Sequence, residues 1–294
     1  MHQPTTHSAR GVLSSLSASV LFGGMFFVSG LLDASAEAVW AWRVIVTATC
    51  FGVALAWPAS RRALAALWTT LRRRSWTPVV LVVTGAILGV QMWLFAWTPM
   101  NGHGLDAALG YLLLPLILVL SGRFLFHEHV SRTQWWAVAI AVVAVGVKIV
   151  FSTSISWVTV VVCVGYAVYF ALRKRFGLET QAAFAGEITV MCLVAVPMLF
   201  FVRGADSPAQ QALVLLAGLA GAAALSLYLS ASELLTMPVF GLLSYVEPVL
   251  MFVAALLLGE HLAPSDVVTY GLLAIALAVL AAGSLRGGRA PLPG

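Results

Sequence analysis

The sequence predicts an all-α integral membrane protein whose ten transmembrane helices form two inverted five-helix repeats. Three observations lead to this fold class: the composition, apolar stretches of membrane-spanning length, and a set of residues that recurs in both halves. Of the 294 residues, 61% are hydrophobic and only 9% are charged, and the mean hydropathy is +1.00. Water-soluble globular domains carry far more charge, because about a quarter of their residues are Asp, Glu, Lys or Arg.

Each apolar stretch is about 18 to 25 residues long, enough to cross a hydrocarbon core of ~30 Å at a rise of ~1.5 Å per residue. Together they use nearly the whole chain, so no additional soluble domain is expected. We place the ten spans at 11–32, 37–57, 76–98, 105–122, 134–151, 155–173, 182–202, 210–236, 238–259 and 265–285.

The positions of the basic residues predict the topology. With ten spans and a cytoplasmic N-terminus, 13 of the 16 Lys and Arg residues fall on the cytoplasmic side, whereas Lys148 and Arg203 fall outside and Arg43 lies within a span. Positive residues are enriched on the cytoplasmic side of membrane proteins. The pI of about 9.4 therefore reflects topology, and nucleic-acid binding is not expected. The lipid bilayer is the expected surrounding, and both tails, 1–10 and 286–294, are predicted to be cytoplasmic.

A cleaved signal peptide is the alternative for the N-terminus, because Ala34-Ser35-Ala36 resembles a cleavage site. The 22-residue apolar run before it is longer than the ~7–15 residues of a signal peptide's apolar region, so we treat it as the first span. Cys50, Cys163 and Cys192 lie within separate spans. Neither a disulfide framework nor a metal cluster is expected from this spacing, and no cofactor is predicted.

An internal repeat divides the chain. In the first half Pro115 is followed by Glu128-His129, and in the second half Pro248 is followed by Glu260-His261, at an offset of about 132 residues. We place the repeats at 11–151 and 155–285. Because each half has an odd number of spans, the second must be inserted upside down relative to the first. Inverted repeats are typical of secondary transporters, whose substrate site lies near the bilayer midplane.

The second half closes its ninth span with "LLLGEH", and the stretches "WAWRV" and "LGVQMWLFAWTPMNGHGLDAALGYLLLPLILVLSGRFLF" precede the first Glu-His pair. These residues resemble the EamA family of the drug/metabolite transporter superfamily, and within it the RarD and YddG group. The resemblance covers nearly the whole chain. It implies a bacterial inner-membrane exporter of amino acids and related metabolites, with aromatic amino acids as the substrate class of the YddG branch. One departure is His127-Glu128, where Gly-Glu is more usual.

Ionisable residues within spans are candidates for function, because each costs about 2.5 to 3.5 kcal/mol at a helix centre. Glu247 lies ~13 Å inside the ninth span and Arg43 ~9 Å inside the second. Glu247 is a candidate for binding a substrate ammonium, or for a structural hydrogen bond to backbone released by Pro248. Arg43 is a candidate for binding a substrate carboxylate, or for reaching the outer surface with its long side chain. Glu187 is left as either functional or structural and is not paired with Arg43.

Pro115 and Pro248 are predicted to kink spans four and nine, since proline removes one backbone donor. Released backbone groups need protein, polar side chains or water within a membrane, so these spans are predicted to line the cavity and to act as hinges. Tyr111 shares a helix face with Pro115 and lies at a depth similar to that of Gln91. Both are candidate substrate contacts.

Aromatic residues complete the predicted pocket, because their rings offer wide apolar contacts to planar or bulky substrates. Trp93, Tyr166 and Tyr169 are candidates, and Tyr245 is added although it faces away from Glu247. Trp40, Trp42 and Trp97 are expected in the interfacial aromatic belt.

Other classes of membrane protein fit less well. The sequence contains no His-Glu-x-x-His motif, no nucleophile elbow and no Gly-x4-Gly-Lys loop, so no enzyme or ATP-driven pump is predicted. A channel remains an alternative, as does a transporter of cationic or sugar-like metabolites or drugs. The prediction is an alternating-access transporter for a small molecule, with a monomer as a plausible oligomeric state.

Overall fold

The computed structural model describes residues 9–73, 75–127, 129–152, 156–205, 207–235, 239–240 and 243–287. Throughout this part of the chain the regular secondary structure is helical, which confirms the all-α class. The helices are α1 (Ala9–Gly30), α2 (Ala36–Ala54), α3 (Pro58–Arg73), α4 (Thr77–Met100), α5 (Gly104–Phe126), α6 (Arg132–Ser152), α7 (Trp157–Phe176), α8 (Gln181–Met198), α9 (Pro208–Leu234), α10 (Val246–Leu257) and α11 (Pro264–Gly287).

Among the described residues, nine helices are long and apolar enough to cross a membrane, and α10 is a shorter apolar helix. Several begin with a side-chain cap that satisfies backbone N–H groups left open by the first turn. Ser35 caps α2 and Thr180 caps α8. Ser131 and Gln134 exchange side-chain and backbone hydrogen bonds at the start of α6, which is a capping box.

The ninth span differs from the prediction. The helix that we placed at 238–259 as a continuous kinked span begins at Val246, after a turn at Ser244 and Tyr245. Pro248 therefore lies in the first turn of α10, where a backbone N–H has no partner within the helix and a proline is tolerated. Pro115, in contrast, lies inside α5 as predicted.

Helix α3 was not predicted, because its residues were assigned to a cytoplasmic connection. Leu67 is buried on one face of α3, while Trp68 is 55% exposed and stacks under the Arg72 guanidinium at 4.7 Å from the ring centre. A helix with one apolar face and several Arg residues is typical of segments that lie along a membrane surface.

The chain divides into two compact units, and each draws on both halves of the sequence. Unit 1 comprises the described residues within 9–24, 102–163 and 223–287, and unit 2 comprises those within 25–101 and 164–222.

In unit 1, α5 packs against α10 and α6 packs against α11. Both pairs are antiparallel, since the start of α5 lies beside Glu260 after the end of α10, and Lys148 near the end of α6 pairs with Asp266 near the start of α11. Buried leucine and alanine side chains of α5, α6 and α11 form the core. Gly283 allows α11 to approach α6 closely, because a Cβ there would lie 2.7 Å from Thr133 Cγ2.

In unit 2, α8 packs against α2, α3 and α4. Helices α4 and α8 run parallel, because Gly85 lies beside Glu187 and Gly89 lies beside Met191. Helix α2 runs antiparallel to them, with Trp40 against Gly89 and Glu37 against Trp93. Trp40 and Met191 are 6% and 4% exposed and form the core with Val44, Leu88, Tyr169 and Ile188.

Candidate functional site

Gln91 is buried in unit 2, where it faces α7. Its side chain is 1% exposed, and a Cβ at Gly165 would lie only 2.0 Å from Gln91 Nε2. The absence of a side chain at Gly165 therefore makes room for the amide of Gln91. This places Gln91 of α4 against α7, the helix that carries Tyr166 and Tyr169.

Tyr166 and Tyr169 lie together on α7, with ring centres 6.4 Å apart in an edge-to-face arrangement. Their surroundings differ. Tyr166 is half-buried, whereas Tyr169 is 3% exposed and its hydroxyl donates a hydrogen bond of 2.9 Å to Glu187 Oε2. Tyr169 thus has a buried partner within the protein, and a role in substrate binding remains a prediction.

Glu187 forms a buried ion pair with Arg173, which the sequence analysis had assigned to a cytoplasmic segment. Arg173 Nη1 donates to Glu187 Oε2 at 3.2 Å and also to the Tyr169 hydroxyl. The remaining donors of the guanidinium bind the carbonyls of Leu178 at 2.8 Å and Thr180 at 2.9 Å. Arg173 therefore joins the end of α7, the α7–α8 turn and α8.

Arg43 lies inside unit 2 and is 6% exposed. Its guanidinium carbon lies 5.0 Å from the centre of the Phe95 ring, and Nη1 donates to the carbonyl of Met92 at 3.5 Å. The side chain is thus buried within this unit and does not extend along its surface, and a role in binding a substrate carboxylate stays a prediction.

A groove of about 500 Å³ runs along α4 between α2 and α8. At one end Trp93 Nε1 donates a 3.0 Å hydrogen bond to Glu37 Oε1, and the Trp93 ring stacks on Trp97 at 5.6 Å. Trp40 lines the same groove and is buried, because its indole packs against Gly89. It is therefore not the exposed residue of an interfacial aromatic belt that we predicted. The groove is lined by Glu37, Trp40, Val82, Gly85, Ala86, Gly89, Val90, Trp93, Val190, Met191, Val194 and Met198.

Sequence reasoning missed Glu37 because it is at the very start of a span, where a carboxylate needs no explanation. Acidic residues are favoured in the first turn of a helix by the helix dipole. Trp97 follows Trp93 by four positions, a spacing that places both on one helix face, as their stacked rings show. The spacing could not show that α2 supplies a carboxylate to the first of them.

In unit 1, Glu247 lies in the first turn of α10 and is half-buried. The Tyr228 hydroxyl hydrogen-bonds with Ser244 and lies close enough to Glu247 for an electrostatic interaction. The Tyr228 ring also meets Phe240, with the ring centres 4.7 Å apart. Ser244 and Glu247 therefore have a tyrosine from α9 beside them. That tyrosine was not predicted, because only tertiary structure brings α9 here.

Tyr245 packs at the edge of the core formed by α5, α6 and α11. Tyr111 is half-buried on α5, and Pro115, four residues later, leaves the Tyr111 carbonyl without its usual helical donor. Tyr111, Tyr245, Glu247 and both prolines belong to unit 1, whereas Arg43, Gln91, Trp93, Tyr166 and Tyr169 belong to unit 2.

Glu260 of the repeated Glu-His pair caps helix α5. Its two carboxylate oxygens accept hydrogen bonds from the backbone N–H groups of Gly104 at 2.6 Å and Leu105 at 2.9 Å. The Tyr270 hydroxyl donates to the Leu105 carbonyl. The Glu-His pair in the second half of the chain thus holds the start of a helix from the first half. Its counterpart Glu128 lies outside the described residues.

Among the described residues there is no group of three or more His, Cys, Asp or Glu side chains able to hold a metal ion. The polar groups collected in each unit are instead suited to binding a small molecule through hydrogen bonds and aromatic contacts.

Several known proteins are similar to this chain over most of its length, although no family model matches it. An uncharacterized transporter of Pasteurella multocida is 37% identical over 261 residues, which cover 86% of this chain and 89% of the relative. The chloramphenicol-sensitive protein RarD of Pseudomonas aeruginosa is 35% identical over 288 residues, 94% of each chain. The protein RarD of Escherichia coli is 28% identical over 72% of this chain and 75% of the relative. A solved crystal structure shares the fold, with a TM-score of 0.58 at 18% identity over 93% of this chain and 97% of the other.

Proposed function

Because the chain belongs to the RarD-like transporters of the drug/metabolite transporter superfamily, we propose that it is a secondary, alternating-access exporter of amino acids and related small metabolites. Its substrates include aromatic or bulky apolar amino acids. It resides in the bacterial inner membrane with both termini in the cytoplasm, and the substrate gradient or a proton gradient drives transport without ATP.

The main support for this proposal comes from unit 1. There, helices that occupy corresponding positions in the two halves of the sequence pack against each other in antiparallel pairs. Helix α5 pairs with α10, and α6 pairs with α11. An inverted repeat requires corresponding helices to run in opposite directions. Two such halves can exchange conformations to expose one central site to each side of the membrane in turn.

The polar and aromatic groups supply the substrate chemistry. Each unit supplies candidate substrate contacts of its own. In unit 1 these are Glu247, at the start of α10, for an ammonium, with Tyr111 and Tyr245. In unit 2 they are Arg43 for a carboxylate, Gln91 for a hydrogen bond, and Trp93, Tyr166 and Tyr169 for an aromatic or apolar side chain. Pro115 permits movement within α5, because it leaves a backbone carbonyl of that helix without its usual donor. Before α10, the turn at Ser244 and Tyr245, just ahead of Pro248, provides the second hinge.

Transport by purified protein in proteoliposomes tests this proposal. We expect labelled phenylalanine or tryptophan to exchange across the membrane, with saturation and with acceleration by unlabelled amino acid on the opposite side. Glu247→Gln should reduce the rate by at least about tenfold, since it removes the charge that attracts an ammonium. Glu179→Gln, an exposed carboxylate in the α7–α8 turn, is the matched control. Repeating the assay with and without a pH gradient identifies proton coupling.

Full activity of Glu247→Gln would remove this carboxylate from the mechanism. If no amino acid moves or competes while a sugar or a cationic dye does, the substrate class is wrong. Flux that never saturates and shows no acceleration by substrate on the opposite side would indicate a channel.

A drug substrate is the second candidate, and the name of the Pseudomonas aeruginosa relative favours it, because that name refers to chloramphenicol sensitivity. Chloramphenicol is an aromatic molecule of a size that an aromatic-lined site accommodates. Competition between chloramphenicol and a labelled aromatic amino acid in the same assay decides between the two. Inhibition by the drug without any amino acid transport would favour the drug substrate.

A further inference from the structure

The groove along α4 opens to the side of unit 2. Its outer walls are valines that remain about half exposed: Val82 is 50%, Val90 is 47% and Val194 is 54% exposed. In a membrane-spanning protein such surfaces meet lipid chains. The floor is formed by Gly85 and Gly89, whose lack of side chains lets the groove reach inward to Met191.

The dimensions of the groove match one lipid chain. From Val82 to Trp93 it follows 11 residues of α4, or ~16 Å at 1.5 Å per residue. One leaflet contributes about half of a ~30 Å hydrocarbon core. The polar end lies at Glu37, the second residue of α2, and is therefore at the level where a span begins and lipid headgroups lie.

The charge of the groove selects the headgroup. Glu37 is the only ionisable residue among the twelve described residues that line it. The lining therefore offers no cation to a free amino acid carboxylate, although Trp93, a proposed substrate contact, lies at its polar end. Glu37 Oε1 accepts the hydrogen bond from Trp93, and the carboxylate retains further lone pairs for a donor. A primary ammonium has three N–H donors, whereas a quaternary ammonium has none.

We propose that this groove binds one acyl chain of a phospholipid whose headgroup carries a primary ammonium, with that ammonium hydrogen-bonded to Glu37. The Trp93 and Trp40 rings flank the polar end, where aromatic faces favour a cation. The lipid chain covers the valines and fills the space above Gly85 and Gly89.

Native mass spectrometry of the purified protein tests this site. The protein is incubated with equal amounts of phosphatidylethanolamine and phosphatidylcholine of identical acyl chains, and the retained lipid is identified. We expect wild-type protein to retain about five times more phosphatidylethanolamine than phosphatidylcholine, because only the primary ammonium can donate a charge-assisted hydrogen bond to Glu37. Glu37→Gln should abolish the preference, and Val90→Trp, which fills the groove from its exposed wall, should reduce retention of both lipids.

Val83→Trp is the matched control, because Val83 lies on the same helix, is 42% exposed and does not line the groove. Melting temperatures of all variants verify that each is folded. Equal retention of both lipids by the wild type, preference for phosphatidylcholine, or a preference that survives Glu37→Gln would overturn the proposal. So would equal retention by Val90→Trp and Val83→Trp. A dimer mass that is lost only in Val90→Trp would assign the groove to a second copy of the chain.

Discussion

Arg173 illustrates how one buried charge can organise its neighbourhood. Its guanidinium binds Glu187, Tyr169 and two carbonyls of the α7–α8 turn, while Glu187 is fully buried. Removing one partner of such a pair leaves an uncompensated charge inside the protein. The pair thus fixes the geometry of the turn more than it adds net stability.

We expect Arg173→Ala to destabilise the purified protein by roughly 3–5 kcal/mol, measured as a lower melting temperature. Arg203→Ala is the control, because its ion pair with Asp33 has side chains 64% and 67% exposed and is worth about 0–1 kcal/mol. The double variant Arg173→Met with Glu187→Met should recover part of the loss, since it leaves no buried charge. Equal effects of Arg173→Ala and Arg203→Ala would contradict this explanation.

His127 adopts a left-handed conformation, with φ of 57°, at the end of α5. The corresponding residue of the second repeat is Gly259, with φ of 93°. The His-Glu that departs from the usual Gly-Glu therefore keeps the backbone that glycine would provide, at a steric cost of about 1–2 kcal/mol.

His127→Gly should raise the stability by about 0.5–1 kcal/mol, because relief of strain exceeds the greater flexibility of glycine in the unfolded chain. Gly259→His makes the reverse change at the corresponding position and should lower stability. Thermal unfolding in detergent measures both. A lower melting temperature for His127→Gly would show that the imidazole contributes more than its backbone strain costs.

At the level of elements, the start of α5 depends on a carboxylate from the following repeat. Replacing Glu260 with Ala removes both hydrogen bonds to Gly104 and Leu105 and a negative charge that the helix dipole favours. We expect a loss of about 1–2 kcal/mol and faster amide exchange at Gly104 and Leu105. Glu179→Ala, in an exposed turn, is the control. Unchanged exchange at those two amides would show that the cap is unimportant.

The elements also show which features can be predicted from sequence. Long apolar runs identified the spans, because hydrocarbon thickness sets their length. Helix α3 was overlooked, although Leu64, Leu67 and Leu71 recur at a helical spacing that indicates one apolar face. The arginines of α3 lower its mean hydropathy below that of a membrane span, so hydropathy alone does not reveal it. Similarly, a proline in an apolar run does not reveal its position in the helix. Pro115 lies inside α5, whereas Pro248 lies in the first turn of α10.

At the scale of the whole molecule, the proposed topology assigns each loop to one side of the membrane. The loop before α2 and the loop before α9 are both placed outside, and they touch through Ser35 and the Arg203 carbonyl within unit 2. Loops assigned to the same side of the membrane are thus in contact, as the alternation of spans requires.

Labelling with a membrane-impermeant thiol reagent tests the topology after the native cysteines have been replaced. We expect Asp33→Cys and Ala263→Cys to react in intact cells, because both precede spans that enter from outside. Glu179→Cys should react only after the membrane has been opened. Reaction of all three in intact cells would overturn the assignment of ten spans with both ends inside.

The contacts at the candidate site were less predictable from sequence than the apolar helices. Sequence spacing showed that Trp93 and Trp97 share a face, but it could not show that Gln91 meets Gly165 or that Tyr228 joins Ser244. Those contacts connect residues far apart in the chain, and helix pairing determines them. Each unit combines helices from both halves, an arrangement that local periodicity does not encode.

The short length of α10 has a consequence for solvation. Its 12 residues extend ~18 Å, well below the ~30 Å of a full crossing. The turn at Ser244 and Tyr245 that precedes it interrupts the regular helical backbone, and backbone groups beside such a break in a membrane need protein or water as partners. Water or a polar solute that reaches Val246 would meet the positive end of the helix dipole and the carboxylate beside it, so that this interruption creates a wettable position within an otherwise oily environment.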